Sequence, residues 1–250
     1  MIIARYPSAQ APRPSDSGGQ FSARLGYHAG AMASRPKHVA PRPTPRLYLT
    51  TPALVDPSAF SPHLRAALDA SDVAAVLVHF AEADERSLIN CAKKLTATIQ
   101  GKGTALLLDG HVDLVARTGA DGAHLSGSAA FTAAVGQLKP ERIAGAGGLA
   151  TRHDSMLVAE QGADYVMFGE PDSEGHRPAL AAIEERVGWW AEVFEIPCVG
   201  YAGSLDDIAP LVAAGADFIA LGDFLWQDAS AITSTISEAS GYLRLPEPAA

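Results

Sequence analysis

Cysteine is scarce in this chain, and its scarcity excludes two common kinds of site. The 250 residues include two cysteines, Cys91 and Cys198, which lie far apart in sequence. Two distant cysteines form neither a disulfide framework nor a cluster of metal ligands. We therefore expect both to be reduced packing residues, and we expect the protein to be cytoplasmic.

Long apolar runs are also missing. The longest are short stretches such as 73–78, whereas a membrane-spanning helix needs about 20 consecutive apolar residues. The sequence therefore predicts that the protein has no membrane as partner.

Acidic residues are nearly absent from the first part of the chain, and basic residues are few in the rest. Residues 1–46 contain seven Lys or Arg and one acid, Asp16, together with many prolines, which leaves 12 basic and 27 acidic residues in the remainder. The excess of acidic residues in this remainder argues against nucleic acid as a partner. We interpret 1–45 as a disordered Pro/Arg-rich extension: a flexible leader, sequence upstream of a start at Met32, or an Arg-rich targeting peptide.

Short apolar segments alternate with helical patterns along the rest of the chain. Eight strands are predicted, at 46–53, 73–80, 104–110, 122–127, 142–148, 164–171, 197–203 and 217–224. They look buried on both faces, as parallel strands covered by helices are. Eight βα units in about 200 residues predict an α/β fold, a (βα)8 TIM barrel, spanning 46–243, followed by a C-terminal tail at 244–250.

A local repeat supports this barrel. The tripeptide Gly-Ala-Asp stands between a helix and a strand three times, ending at Asp121, Asp164 and Asp217. The glycine suits the end of a helix, and the aspartate can accept hydrogen bonds from backbone N–H groups of a short loop. These loops lie at the end of a barrel opposite the chemistry, so we interpret the three aspartates as structural.

Functional residues are expected at the carboxyl ends of the strands. Polar side chains and glycines stand there, namely Thr50, Thr51, His79, Asp109, His111, His124, Ser126, Gly147, Gly148, Gly169, Glu170, Tyr201, Gly203, Gly222 and Asp223. Glycines after the later strands favour close approach of a ligand, and Ser204 is a candidate N-cap of a helix facing an anion. Plain turn geometry explains the glycines equally well.

The segments "LDGHVDLVARTGADGAHLSG", "GADYVMFGEP" and "IPCVGYAGSLDDIAPLVAAGADFIALGD" resemble the thiamine phosphate synthase superfamily, which includes thiazole tautomerases. The resemblance runs from about Arg46 to Trp226. It implies a TIM barrel, a small phosphorylated ligand, and Mg²⁺ with cationic side chains that stabilise a departing diphosphate.

The resemblance also assigns site residues. The positions that hold cations at the end of strand two in the family are occupied here by His79 and Ala81. The family's Asn-Asp pair after strand three corresponds to Leu108 and Asp109. Asp109 is therefore a catalytic and metal-binding candidate. A second metal carboxylate falls on Ala129 or Ser128.

Ligand-binding positions fall on Gly148, Gly169, Glu170, Arg177, Gly203 and Gly222. Glu170 stands where the family has proline, and Arg177, at the spacing of a family lysine, is expected to neutralise it if a phosphate site is retained.

The sequence therefore predicts a thiamine phosphate synthase-like protein of thiamine metabolism that binds a small phosphorylated heterocycle but has little synthase activity. His79, His124 and Asp109 are the catalytic candidates for transferase or tautomerase chemistry. His124 is also typical of a hydrogen-bonded core histidine, His111 of a helix cap, and His153 of a solvated first-turn residue. The alternative function is that of a catalytically degraded paralogue that binds a ligand or protein and regulates.

Two adjacent tryptophans lie on the sixth predicted helix. Trp189 and Trp190 point about 100° apart on a helix, so one is expected in the core and the other against a partner. This pattern predicts a homodimer.

Overall fold

The computed structural model describes residues 42–244. Eight strands alternate with eight α-helices in this range. Our expectations for residues 1–41 and 245–250 lie outside the described residues.

The strands form one closed, parallel barrel in sequence order, in which β8 pairs with β1. This confirms the predicted TIM barrel, although each strand is shorter than its predicted segment. The strands are β1 Arg46–Thr50, β2 Val73–Val78, β3 Ala105–Asp109, β4 Gly122–Ser126, β5 Ile143–Gly147, β6 Tyr165–Phe168, β7 Cys198–Ala202 and β8 Phe218–Leu221.

The helices lie around this barrel. They are α1 Ser61–Ala70, α2 Glu85–Gln100, α3 Val112–Thr118, α4 Ser128–Leu138, α5 Arg152–Glu160, α6 Leu180–Val193, α7 Ile208–Ala214 and α8 Ile232–Tyr242. Short 3₁₀ turns at Leu205–Asp207 and Asp223–Trp226 follow β7 and β8. No helix within residues 42–244 is long and apolar enough to cross a membrane.

The core has two layers, because successive side chains of a strand point to opposite faces. The larger layer lies between the strands and the helices and contains both free cysteines, Cys91 and Cys198. The smaller layer fills the barrel and combines alanines with large residues, among them Tyr48, Tyr165 and Phe218. Large and small side chains can interdigitate in such a narrow space.

The two tryptophans of α6 separate as the helical geometry requires. Trp190 is fully buried and donates a 2.7 Å hydrogen bond to the carbonyl of Ile196. Trp189 is partly buried, and the guanidinium of Arg152 lies 4.8 Å from the centre of its ring. A side chain of the same chain therefore covers part of Trp189, and the homodimer stays a prediction.

The three repeated aspartates connect neighbouring strands at the amino-terminal end of the barrel. Asp121 accepts from the backbone N–H of Leu106 at 2.7 Å, and Asp217 from that of Cys198 at 2.9 Å. Asp164 accepts from Ala144 at 2.8 Å. The aspartates stand just before β4, β6 and β8, and their carboxylates accept from the backbone of the preceding strands β3, β5 and β7 respectively. The structural interpretation of this repeat is therefore correct.

Substitution of Asp164 tests this role. Asp164 also pairs with Lys139 at 2.6 Å, so Asp164→Ala leaves a backbone N–H and a cation without their acceptor. We expect the free energy of unfolding to fall by about 1–3 kcal/mol, measured by urea denaturation. Glu141→Ala removes an exposed carboxylate from the preceding loop and should change it by less than about 0.5 kcal/mol. Equal losses in both variants would contradict the role given to Asp164.

Candidate active site at the barrel mouth

Two pairs of acidic and imidazole side chains lie at the carboxyl ends of the strands. The first pair consists of His79, which follows β2, and Asp109, the last residue of β3. His79 Nε2 lies 3.8 Å from Asp109 Oδ2, and both side chains are partly exposed. His79 Nδ1 lies 2.8 Å from the carbonyl oxygen of Thr51. Because a carbonyl can only accept, Nδ1 carries a proton and Nε2 faces the acid.

The second pair is buried more deeply. His124 of β4 is 2% exposed, and Glu170, just after β6, is 15% exposed. His124 Nε2 lies 3.4 Å from Glu170 Oε2, an ion-pair distance without hydrogen-bond geometry. Burial is the largest influence and lowers the pKa of His124, but the charge and side-chain interaction of Glu170 together with the charge of Asp109 outweigh it, so that the pKa lies above its usual value.

The inner face of β5 makes room for this pair. After Ile143, which packs against the inner layer, its residues at this face are Gly145 and Gly147. A Cβ atom on Gly147 would overlap the carboxylate of Glu170, and one on Gly145 would overlap the ring of Tyr165. The alternation of Ala and Gly in "IAGAG" therefore gives a strand that packs outward through alanine and accepts two large side chains on its inner face.

His124 is connected to two tyrosines inside the barrel. Its Nδ1 lies 3.0 Å from the hydroxyl of Tyr165, which lies 2.9 Å from the hydroxyl of Tyr48. Both tyrosines are fully buried, and burial raises the pKa of each above its usual value. His124 is thus both a hydrogen-bonded core histidine and a mouth residue, and the two interpretations of it are compatible.

The carboxylate of Glu170 lacks hydrogen-bond donors. Within residues 42–244, neither of its buried oxygens has a hydrogen-bond partner, and the same is true of His124 Nε2. Buried polar atoms without partners are rare in folded proteins, because each costs about 1–3 kcal/mol. These atoms lack partners and are also shielded from solvent in this conformation, so a ligand at the mouth reaches them only when the Glu170 side chain moves.

Arg177 does not neutralise Glu170, contrary to our expectation. Its guanidinium donates to the carbonyls of Gly169 and Tyr201, each at 2.8 Å, and approaches Asp207 at 3.5 Å. The planar group with five donors suits such a bridge. Arg177 therefore joins the loops after β6 and β7, and the side chain that lies beside the carboxylate of Glu170 is the imidazole of His124.

The backbone after β7 and β8 is engaged within the protein. The N–H of Gly203 donates to Asp207 at 2.8 Å, and that of Gly222 donates to the carbonyl of Ala202 at 3.0 Å. Ser204 stands at the expected N-cap position, before the 3₁₀ turn, but its hydroxyl donates to Asp207 and makes no capping bond. Neither Gly203 nor Gly222 offers a free N–H in this conformation. Their role as ligand contacts stays a prediction.

Gly148 and Gly169 leave the backbone in conformations that other residues adopt rarely. Their φ angles are +59° and +92°, in the region that favours glycine. They flank Gly147 and Glu170 in sequence. The backbone around the buried carboxylate is therefore shaped by glycine, and the role of Gly148 and Gly169 as ligand contacts stays a prediction.

Two other candidates, His111 and His153, and the second acid of the loop after β6, Asp172, lie outside the two pairs. His111 stands at the N-cap of α3 without a capping bond, and its ring packs edge-on against Phe80. His153 is an exposed residue in the first turn of α5. Asp172 is exposed, and hydrogen bonds from the backbone N–H groups of His176 and Glu174 lower its pKa. It is therefore a turn residue, unlike Glu170.

The described residues do not form a magnesium site of their own. No group of three or more His, Cys, Asp or Glu residues in this part of the chain could hold a metal ion. Asp109 can offer one carboxylate, but Ser128, at the place of the second, is a hydroxyl that donates to Asp154 at 3.0 Å. Magnesium would have to be held largely by ligand phosphates.

Comparison with known proteins identifies the family. A family model described as thiamine monophosphate synthase matches residues 47–224. Thiamine-phosphate synthase of Rhodospirillum centenum is 36% identical over 80% of this chain and 98% of the relative, and that of Hyphomonas neptunium is 36% identical over 74% and 88%. The chain belongs to the thiamine monophosphate synthase family.

Solved structures agree on the fold. Thiamine phosphate pyrophosphorylase from Pyrococcus furiosus superposes with a TM-score of 0.64 and 20% identity, over 79% of this chain and 95% of that protein. A 3-hexulose-6-phosphate synthase from Salmonella typhimurium gives 0.60 and 16%, over 79% and 98%. Both comparisons confirm the barrel.

Sequence reasoning missed four residues that shape this site: Tyr48, Tyr165, Gly145 and Asp207. The two tyrosines looked like ordinary core residues, since each lies in an apolar strand. A signal was present, because an inward glycine beside an inward tyrosine on the next strand predicts that the ring crosses the glycine.

Two glycine substitutions test the role of β5. Gly145→Ala places a methyl group against the ring of Tyr165, so we expect a loss of about 3 kcal/mol in the free energy of unfolding. Gly136→Ala, in α4 where a methyl group meets nothing, should add about 0.5–1 kcal/mol. Thermal and chemical denaturation measure both. A tolerated Gly145→Ala would contradict the close packing of Tyr165.

Proposed function

We propose that the barrel mouth binds a small phosphorylated heterocycle of thiamine metabolism, and that the chain has weak synthase activity. Membership of the thiamine monophosphate synthase family supports the ligand class. The single observation that carries the proposal is the buried pair His124 and Glu170, whose facing atoms have no hydrogen-bond partner among the described residues.

These atoms match the polar edge of a heterocycle. A carboxylate accepts hydrogen bonds, and an imidazole nitrogen that carries a proton donates one. A small site with few well-placed polar groups orients a ring through such contacts. His79 and Asp109, on the neighbouring strands β2 and β3, provide a second polar edge on the same mouth.

The charges of the mouth favour one phosphate over two. Asp109 and Glu170 are acidic, and Arg177 is already bonded to two carbonyls and to Asp207. Two like unit charges about 5 Å apart at an effective dielectric constant of about 20 repel by roughly 3 kcal/mol. Because a diphosphate carries more negative charge than a monophosphate, we expect it to bind worse, and synthase turnover to be low.

A second candidate function is proton transfer on the bound heterocycle, of the kind that thiazole tautomerases carry out. The paired acid and imidazole favour it, since Glu170 can take a proton from one ligand atom and return it to another, while the Nε2–H of His124 donates a hydrogen bond to the ligand. This chemistry needs no departing diphosphate. Its alternative is a catalytically degraded paralogue that binds the same ligand and regulates.

Binding and turnover experiments separate these functions. We expect thiazole phosphate or thiamine phosphate to raise the melting temperature, and calorimetry to show micromolar or tighter binding. His79→Ala should weaken binding about tenfold, as the loss of one good hydrogen bond to a charged group does. His153→Ala, on the exposed turn of α5, should leave it unchanged.

Turnover is measured separately with both synthase substrates and Mg²⁺, and with the tautomerase substrate alone. Aromatised thiazole with little thiamine phosphate supports the tautomerase; neither product with retained binding supports the regulatory paralogue. Absence of binding by either phosphorylated compound would contradict the ligand class. Rapid formation of thiamine phosphate would contradict weak synthase activity.

A further inference from the structure

The polar side chains inside the barrel can share their protons in few ways. The Tyr48 and Tyr165 hydroxyls are in contact, and the Tyr165 hydroxyl contacts His124 Nδ1. Each contact has room for one hydrogen atom. Within residues 42–244, the Tyr165 hydroxyl is the one hydrogen-bond partner of the Tyr48 hydroxyl.

One arrangement gives both tyrosine hydroxyls an acceptor. Tyr48 donates to Tyr165, and Tyr165 donates to the bare Nδ1 of His124. The proton of a neutral imidazole is then on Nε2, where it faces the carboxylate of Glu170 at 3.4 Å, outside hydrogen-bond geometry. The imidazole proton thus lies beside a negative charge, and no hydroxyl hydrogen is left without an acceptor.

The reverse arrangement leaves a donor unsatisfied. If Nδ1 carries the proton, it must donate to Tyr165, and Tyr165 must then donate to Tyr48. The hydroxyl hydrogen of Tyr48 has no acceptor in the fully buried interior of the barrel. In addition, the bare Nε2 of a neutral ring would face the carboxylate of Glu170, so two acceptors would meet. A buried donor without a partner is disfavoured.

We propose that Tyr165, supported by Tyr48, is a positioning residue that holds neutral His124 with its proton on Nε2. The mouth then presents a fixed donor, His124 Nε2, beside a fixed acceptor, Glu170. The position of the His124 proton does not depend on the proposed function. Only the role of His124 and Glu170 in ligand binding rests on that function, which this inference deepens. The interior of the barrel thereby sets the chemistry at its end.

Three charged or titratable groups face His124 from the neighbouring elements. Glu170 approaches Nε2 from the loop after β6, Asp109 acts on the ring through its charge from the end of β3, and Tyr165 lies on β6. Glu170 also favours a proton on Nε2. A test must therefore remove Glu170 before it can show what Tyr165 does.

The protonation of His124 is measured without ligand by two-bond ¹H–¹⁵N correlation spectra of the full chain. The pH is raised until the ring has lost one of its two protons, because the pKa of His124 lies above its usual value, and we expect the neutral wild-type ring to carry its proton on Nε2. A proton on Nδ1, or a ring that stays doubly protonated, would overturn the proposal. This measurement needs no variant to fold.

Variants then separate Tyr165 from Glu170. In Glu170→Ala we expect the Nε2–H form to remain dominant, because Tyr165 still donates to Nδ1. In Glu170→Ala combined with Tyr165→Phe we expect a mixture of the two neutral forms. Tyr242→Phe in the same background changes an exposed tyrosine of α8 and should preserve the Nε2–H form. Loss of the Nε2–H form in Glu170→Ala alone would assign the effect to Glu170 and refute the role of Tyr165.

These outcomes are independent of ligand binding. A protein that binds neither phosphorylated compound but shows the Nε2–H form would defeat the proposed function and leave the role of Tyr165 intact. A protein that binds one of the compounds but has neutral His124 protonated on Nδ1 would support the proposed function and refute the role of Tyr165.

Discussion

The packing of Tyr165 and Glu170 against the glycines of β5 is the constraint on which the site depends. Any side chain at Gly145 or Gly147 would occupy the space of the tyrosine ring or of the carboxylate. With that space free, Tyr165 reaches His124 and Tyr48, and Glu170 folds inward over the barrel. The buried acid and imidazole at the mouth follow from two residues that have no side chain.

Electrostatics extend this local arrangement to the whole mouth. Glu170 is buried beside an imidazole whose pKa it raises, and the nearby guanidinium of Arg177 is used to join two loops. The guanidinium that its sequence spacing assigns to the ligand site is thus part of the scaffold here. The acidic groups that remain at the mouth are the basis for proposing a heterocycle with one phosphate rather than a diphosphate.

The fold could be predicted from the sequence because its signals are repeated. Eight apolar segments, eight helices and three Gly-Ala-Asp junctions agree with one another, and Asp121, Asp164 and Asp217 bind the strands that the pattern implies. The site could be predicted only in part. Position at the end of a strand placed His79, Asp109, His124 and Glu170 at the mouth, but it could not show which of them pair.

Pairing depends on side-chain direction and on the space left by neighbours. Spacing alone favoured Arg177 as the partner of Glu170, yet the guanidinium turns toward Asp207 and two carbonyls. Tyr48 and Tyr165 lie within apolar strands, so their hydroxyls gave no separate signal until the strands were placed side by side. Contacts between distant strands decide such details.

A crystal structure of the protein with thiazole phosphate or thiamine phosphate tests the central claim most directly. The account predicts that a polar atom of the heterocycle lies about 3 Å, a hydrogen-bond distance, from His124 Nε2 or from the carboxylate of Glu170. A ligand bound at the mouth that leaves both groups without contact, or a ligand bound elsewhere, would contradict it.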